Sequence, residues 1–220
     1  MFNTFILSLF IATFILLTIT RLAAKRLIES HHGQKVDFFL KHPIKPGDIV
    51  FMGDSLMDGA RWNEMFPGLP VKNRGINADT TAGVLARLDE IISGKPSAIF
   101  ILIGTNDLPW YEYKGDGEIL ESYEKILARC KAEIPETKVH VQSILPRHSF
   151  YAKRIKKLNL RLEKLAEQYG DTYIDLFSKF VDDKGGLRRE LTNDNLHLLG
   201  SGYFVWVEQL QPYIDDVIRN

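Results

Sequence analysis

The sequence is poor in cysteine and has no surplus of charge of either sign. Its one cysteine, Cys130, excludes an intrachain disulfide and a cysteine-rich zinc site, and its place in a helical pattern marks a small buried hydrophobe. Lysine plus arginine number 28 and aspartate plus glutamate 28, so no global field draws the chain to nucleic acid or to an acidic surface. Internal repeats are absent, as are low-complexity tracts beyond the amino-terminal apolar run, which excludes solenoids and disordered arrays. His31, His32 and His42 have no acidic or cysteine partner at metal-ligand spacing and read as solvated linker histidines. What is present is one sizeable core: 220 residues, 45% of them apolar, fill a single domain.

Charge is also missing from Phe2 to Thr20, a run close to the ~20 residues that span a bilayer. It predicts an uncleaved transmembrane anchor over residues 1–20, with a cleaved signal peptide as the rival reading. Arg21, Lys25 and Arg26 all follow the run. By the positive-inside rule they hold the following domain in the cytoplasm, the periplasmic or extracellular side being the alternative. Residues 21–47 read as a connector, broken at His31-His32-Gly33 and followed by a short docking helix carrying Val36, Phe39 and Leu40. The folded domain is expected over 48–220.

From there strands and helices alternate. Ile49 to Met52 is an apolar strand ending at Gly53-Asp54-Ser55, and Trp62 to Phe66 a short helix. Val71 to Ile76 is extended, and Asp79-Thr80-Thr81 caps a helical stripe of Val84, Leu85, Leu88, Ile91 and Ile92. Ala98 to Ile103 is uniformly apolar, as in a strand buried on both faces. Glu118–Ile134 reads as helix, Val139–Leu145 as strand, Ala152–Tyr169 as helix and Tyr173–Phe177 as strand. Strictly alternating elements predict a parallel sheet with helices on both faces, a three-layer α/β/α domain.

In such a sheet the segments after the strands meet on one edge, where ligands bind. That edge would carry Ser55, Asn73-Arg74-Gly75, Gly104-Thr105-Asn106-Asp107, Pro146-Arg147-His148 and the loop from Val181 to Gly202, which holds Asp194-Asn195-Leu196-His197. A serine hydroxyl is a poor nucleophile unless a base lies within reach. His197 would be that base, with Asp194 fixing its tautomer. Ser55 N–H, Gly75 N–H and the Asn106 amide would stabilise the oxyanion. Asp54, Asp58, Asn73, Arg74 and Asp107 are expected to bridge loops, His140 and His148 to be core or surface residues, and Phe180 to Lys184 to form a solvated turn. Aromatics at Trp110, Tyr111, Tyr113, Phe150 and Tyr151 could line an acyl pocket, stack on a sugar or cover the core.

The Gly53-Asp54-Ser55-Leu56, Asn73-Arg74-Gly75-Ile76-Asn77, Gly104-Thr105-Asn106-Asp107 and Asp194-Asn195-Leu196-His197 blocks, in that order, resemble the GDSL or SGNH hydrolase superfamily. The resemblance runs from about Asp48 to the carboxyl end. The stretch from Asn73 to Thr81 looks most like the branch of platelet-activating-factor acetylhydrolase subunits and bacterial lysophospholipase-like or carbohydrate O-acetyl esterases. It implies a flavodoxin-like five-stranded sheet, Ser55 as nucleophile, Gly75 and Asn106 in the oxyanion hole, His197 with Asp194 completing the triad, and neither metal nor cofactor. It implies a serine esterase for short acyl esters of a lipid or carbohydrate. The alternatives are a lysophospholipase or thioesterase-like enzyme for longer chains and a catalytically silent, membrane-tethered binding module. The expected partners are the ester substrate, the membrane through the amino-terminal helix and a second copy in a homodimer, with no nucleic acid.

Overall fold

The computed structural model describes residues 2–109 and 113–219, with side chains from residue 10 onward. Five parallel strands form one sheet: β1 (Ile49–Gly53), β2 (Val71–Gly75), β3 (Ala98–Leu102), β4 (Lys138–Gln142) and β5 (Thr172–Ile174). Their order, β2-β1-β3-β4-β5, is the flavodoxin-like one. Helix α1 (Phe2–Lys41) precedes the sheet. The short helices α2 (Ser55–Asp58) and α3 (Trp62–Met65) follow β1, and α4 (Thr81–Ala86) and α5 (Asp89–Ile92) follow β2. Further on come α6 (Asp116–Glu133), α7 (Ala152–Tyr169), α8 (Phe177–Phe180) and α9 (Gly200–Arg219).

Alternation along the strands divides the core into two layers. Val50, Met52, Ile99, Ile101, Val139 and Val141 face Val84, Leu88, Ile119, Ile126, Ile155 and Leu158 on one side. Phe51 and Phe100 face Trp62, Phe66, Trp206, Leu210 and Ile214 on the other. There the Phe51 ring stacks on Trp62 at 3.9 Å and on Phe100 at 5.2 Å, offset stacking of the kind worth about 1 kcal/mol beyond area burial. This is the expected three-layer domain. Gly53 pairs with Gly75 on one side and Leu102 on the other, so the central strands end level and release their loops onto one edge.

Three local expectations are corrected. The stripe from Val84 to Ile92 is not one helix: it divides at Arg87, whose backbone (φ −108°, ψ 13°) leaves helical geometry while its guanidinium turns inward to the strand ends. His31-His32-Gly33 is not a break, because α1 runs through it without interruption. A mid-helix glycine costs about 1 kcal/mol, and here the flanking turns dock on the domain through Phe39, which is buried, and Lys35. Nor are His31 and His32 simply solvated, since their Nε2 atoms each lie 3.8 Å from a carboxylate, of Asp58 and Asp79 respectively.

The anchor predicted over residues 1–20 is not supported. Among the described residues no helix is long and apolar enough to cross a membrane. Much of the predicted run, residues 1–9, lies outside the described side chains. From Phe10 the helix presents Phe14, Leu16 and Leu17 to solvent, until Arg21, Lys25 and Arg26 interrupt the apolar surface.

Candidate active site

Ser55 opens α2 at the carboxyl end of β1. Asp54 caps that helix, its Oδ1 accepting the Leu56 N–H at 3.0 Å. The turn is tight because β2 passes directly behind it: a Cβ on Gly75 would lie 2.2 Å from the Asp58 nitrogen, so only glycine permits the approach. Asn73 fastens the turn by donating from Nδ2 to the carbonyls of Met57 (2.8 Å), Asp58 (3.2 Å) and Ala60 (3.2 Å). Tyr203 of α9 donates its hydroxyl to the Leu56 carbonyl at 3.0 Å.

The loop before α9 brings the other two groups. Asn195 adopts φ 62°, a left-handed turn that lets the Asp194 carboxylate reach forward. Asp194 Oδ1 accepts the backbone N–H groups of Leu196 (2.9 Å) and His197 (2.8 Å), and Oδ2 lies 2.7 Å from His197 Nδ1. His197 Nε2 is 3.0 Å from Ser55 Oγ. Partial burial alone would raise the Asp194 carboxyl, but the hydrogen bonds from the His197 ring and from the His197 and Leu196 amides outweigh it and hold it at about 2. Ser55, His197 and Asp194, 142 and 3 residues apart in sequence, thus form one hydrogen-bonded chain.

Asn106 stands in a 3₁₀ turn after β3, with its Nδ2 donating to the Asp79 carbonyl at 2.9 Å. Gly75 also lies on this edge, and its N–H donates to Asn73 Oδ1 at 2.8 Å. Beyond it the exposed turn Asn77–Ala78 holds Ala78 at φ 61°.

Polar residues beneath the edge bridge its loops as expected. Asp107 accepts from Thr81 N–H (3.1 Å) and Oγ1 (2.9 Å), and Arg147 Nη1 donates to the Thr105 carbonyl at 2.9 Å. Asp54 is fully buried, and its Oδ2 has no hydrogen-bond partner among the described residues. Burial pushes its carboxyl from 3.8 up to about 7; Asp79 and Asp107 add to the rise, against the hydrogen bond from Leu56. His140 packs in the core, stacked on Phe100 at 4.3 Å, and His148 is exposed. Asp182 spends one carboxylate oxygen on the N–H groups of Lys184 and Gly186. Among the described residues no group of three histidine, cysteine, aspartate or glutamate side chains converges as a metal site would.

Of the aromatics expected near the edge, Trp110 and Tyr111 lie outside the described residues. Tyr113 is exposed, with the Arg154 guanidinium 4.5 Å from its ring centre. Phe150 is exposed and its ring lies tilted against that of Tyr151, 4.0 Å between centres, and Tyr151 also carries the Arg147 guanidinium at 4.5 Å.

What the sequence reading missed is the support underneath. Asp79 reads as a capping residue, and Arg87 lies unremarked between Leu85 and Leu88 of the helical stripe. Both are buried, paired at 2.8 Å, and Arg87 also donates from Nη2 to the carbonyls of Gly53 (3.2 Å) and Arg74 (2.8 Å). The available signal was an arginine four positions after Gly83, on the side of the stripe otherwise filled by Val84, Leu88 and Ile91.

Residues 51–204 match the GDSL-like lipase/acylhydrolase family. Platelet-activating factor acetylhydrolase IB subunit alpha2 from Homo sapiens is 32% identical over 179 residues, covering 76% of this chain and 75% of the relative. A Streptococcus pneumonia structure described as that of a candidate platelet activating factor superposes with a TM-score of 0.74 at 28% identity, covering 84% of this chain and 91% of the other. An acetyl-xylooligosaccharide esterase from Geobacillus superposes at 0.62 with 17% identity, covering 76% and 94%, a likeness of fold alone. The chain belongs to the GDSL-like lipase/acylhydrolase family and is an ester-hydrolysing hydrolase.

Proposed function

We propose that the protein is a serine esterase in which Ser55 is the nucleophile, His197 the general base and acid, and Asp194 the group that orients and stabilises the imidazole. The observation that carries this reading is the chain of contacts, 3.0 Å from Ser55 Oγ to His197 Nε2 and 2.7 Å from His197 Nδ1 to Asp194 Oδ2. With Nδ1–H donated to an ionised Asp194, Nε2 presents its lone pair to the serine hydroxyl. Ser55 Oγ attacks the ester carbon as its proton passes to Nε2, and that proton then leaves with the alcohol. Water repeats the sequence in reverse on the acyl-enzyme.

The oxyanion would be met by the Ser55 N–H and the Asn106 side chain. The bond from Asn106 to the Asp79 carbonyl uses one amide hydrogen, aims the group and leaves the second hydrogen for the substrate. Gly75 N–H, the third expected donor, is given to Asn73 Oδ1 and would have to exchange that bond to meet the oxyanion.

The substrate we assign is a short acyl ester, acetyl above all, of a lipid or carbohydrate. Support comes from the acetylhydrolase name of the relative 32% identical to this chain. A panel of p-nitrophenyl esters of increasing acyl length, with acetylated sugars and lysophospholipids, tests it. Turnover should fall as the acyl chain lengthens and vanish in Ser55→Ala; a flat profile would contradict the short-acyl assignment.

A further inference from the structure

The family match begins at residue 51, yet the last turns of α1 lie against the catalytic edge. Two carboxylates receive them. Lys35 Nζ hydrogen-bonds Asp58 Oδ1 in an ion pair whose side chains are only 30% and 11% exposed, and His31 Nε2 stands 3.8 Å from the other oxygen of the same carboxylate. His32 Nε2 lies 3.8 Å from Asp79 Oδ1. Behind them Phe39, 2% exposed, covers the Arg74 guanidinium at 4.5 Å and the Arg87 guanidinium at 5.9 Å, and Arg74 Nη2 donates to the His42 carbonyl at 2.6 Å.

Each carboxylate connects directly to the catalytic groups. Asp58 closes the single-turn helix that Ser55 opens, and its N–H donates to the Asp54 carbonyl at 2.9 Å. Asp79 accepts Arg87 Nε at 2.8 Å and, through its own carbonyl, holds the Asn106 amide at 2.9 Å. A four-residue helix has little stability of its own, so its orientation is set by what grips its ends. Asp54 grips one end and Asn73, Tyr203 and Lys35 the other.

We propose that Lys35 of α1 is a positioning residue for catalysis: by holding the Asp58 carboxylate it fixes α2, and with it Ser55, against His197. The inference rests on the Ser55 reading given above. It makes the amino-terminal helix part of the enzyme's working structure, and makes activity dependent on how α1 is seated. Removing the ammonium leaves Asp58 partly buried with only the 3.8 Å contact to His31 among the described residues, and the carboxylate then turns to water and takes the end of α2 with it. Displacements of about 1 Å at a nucleophile can cost up to ~10²-fold in rate.

The test uses the full chain. Lys35→Met should lower kcat toward p-nitrophenyl acetate about tenfold with KM within about twofold, and Lys35→Arg should restore kcat to within about threefold. Asp58→Asn should reproduce the loss, with the double variant no worse than either single one, as expected of residues acting as a unit. Lys25→Met, which removes an exposed α1 lysine paired with Glu29, serves as the unchanged control. A Lys35→Met enzyme with wild-type kcat overturns the proposal. Amide hydrogen exchange over residues 54–60 decides it independently of catalysis: faster exchange in Lys35→Met supports it, and equal protection overturns it even if the esterase reading itself fails.

Discussion

Replacing Asp54 with asparagine should stabilise the protein at neutral and alkaline pH and flatten its pH dependence. The carboxyl is fully buried, one oxygen caps α2 and the other has no partner among the described residues, and burial raises its pKa from 3.8 to about 7. Between those values the unfolded chain releases the proton while the folded chain keeps it. The folded state therefore binds more protons, and stability falls as pH rises from about 4 to about 7, levelling off above. Moving the carboxyl from 3.8 to about 7 corresponds to roughly 4 kcal/mol over the whole window, of which on the order of 2–3 kcal/mol falls between about pH 5 and about pH 8. Asparagine keeps the oxygen that accepts the Leu56 N–H and has nothing to ionise. Urea unfolding of both proteins at about pH 5 and about pH 8 measures the difference directly, since every other titrating group is common to the two. The wild type should lose on the order of 2 kcal/mol more than Asp54→Asn on going to the higher pH. Parallel pH profiles would refute the reasoning, because they would mean that Asp54 ionises in the folded state as readily as in the unfolded one.

Asn106→Ala should lower kcat for p-nitrophenyl acetate about 10²–10³-fold with a much smaller change in KM, as expected for a donor used mainly in the transition state. Steady-state kinetics checks it. Gly75→Ala should destabilise the fold by about 1–3 kcal/mol and depress turnover together, because the added methyl meets the Asp58 nitrogen at 2.2 Å and must push α2 away from β2. Thermal unfolding beside an activity assay reads both, and an unperturbed variant would show that the strand and the helix can part without consequence.

The layers of this fold were legible because the two periodicities are cleanly written. Uniform apolarity from Ala98 to Ile103 marks a strand covered on both faces, observed over Ala98–Leu102, and the amphipathic stripe of Ala152–Tyr169 fixes a helix whose bounds match the structure. The candidate site was legible because parallel strands deliver their ends to one edge, so four short blocks far apart in sequence fall together. Arg87 was legible only as an arginine on the apolar side of its stripe: such a residue ordinarily faces solvent, and the junction of Gly53, Arg74 and Asp79 gives it a reason to turn inward. The continuity of α1 escaped for a related reason. His31-His32-Gly33 has the composition of a break, and what overrides it is tertiary: the grip of Asp58 and Asp79 on the helix and the burial of Phe39. The expected bilayer-spanning length was read from apolarity alone, and it is not supported among the described residues.

The central claim is that Ser55 is an activated nucleophile, and covalent labelling tests it most directly. Folded protein treated with a fluorophosphonate probe and mapped by peptide mass spectrometry should carry the adduct on Ser55, and His197→Ala should slow the labelling by orders of magnitude while leaving the protein folded. Folded wild-type protein with Ser55 unmodified, or labelling at the same rate in His197→Ala, would contradict the account.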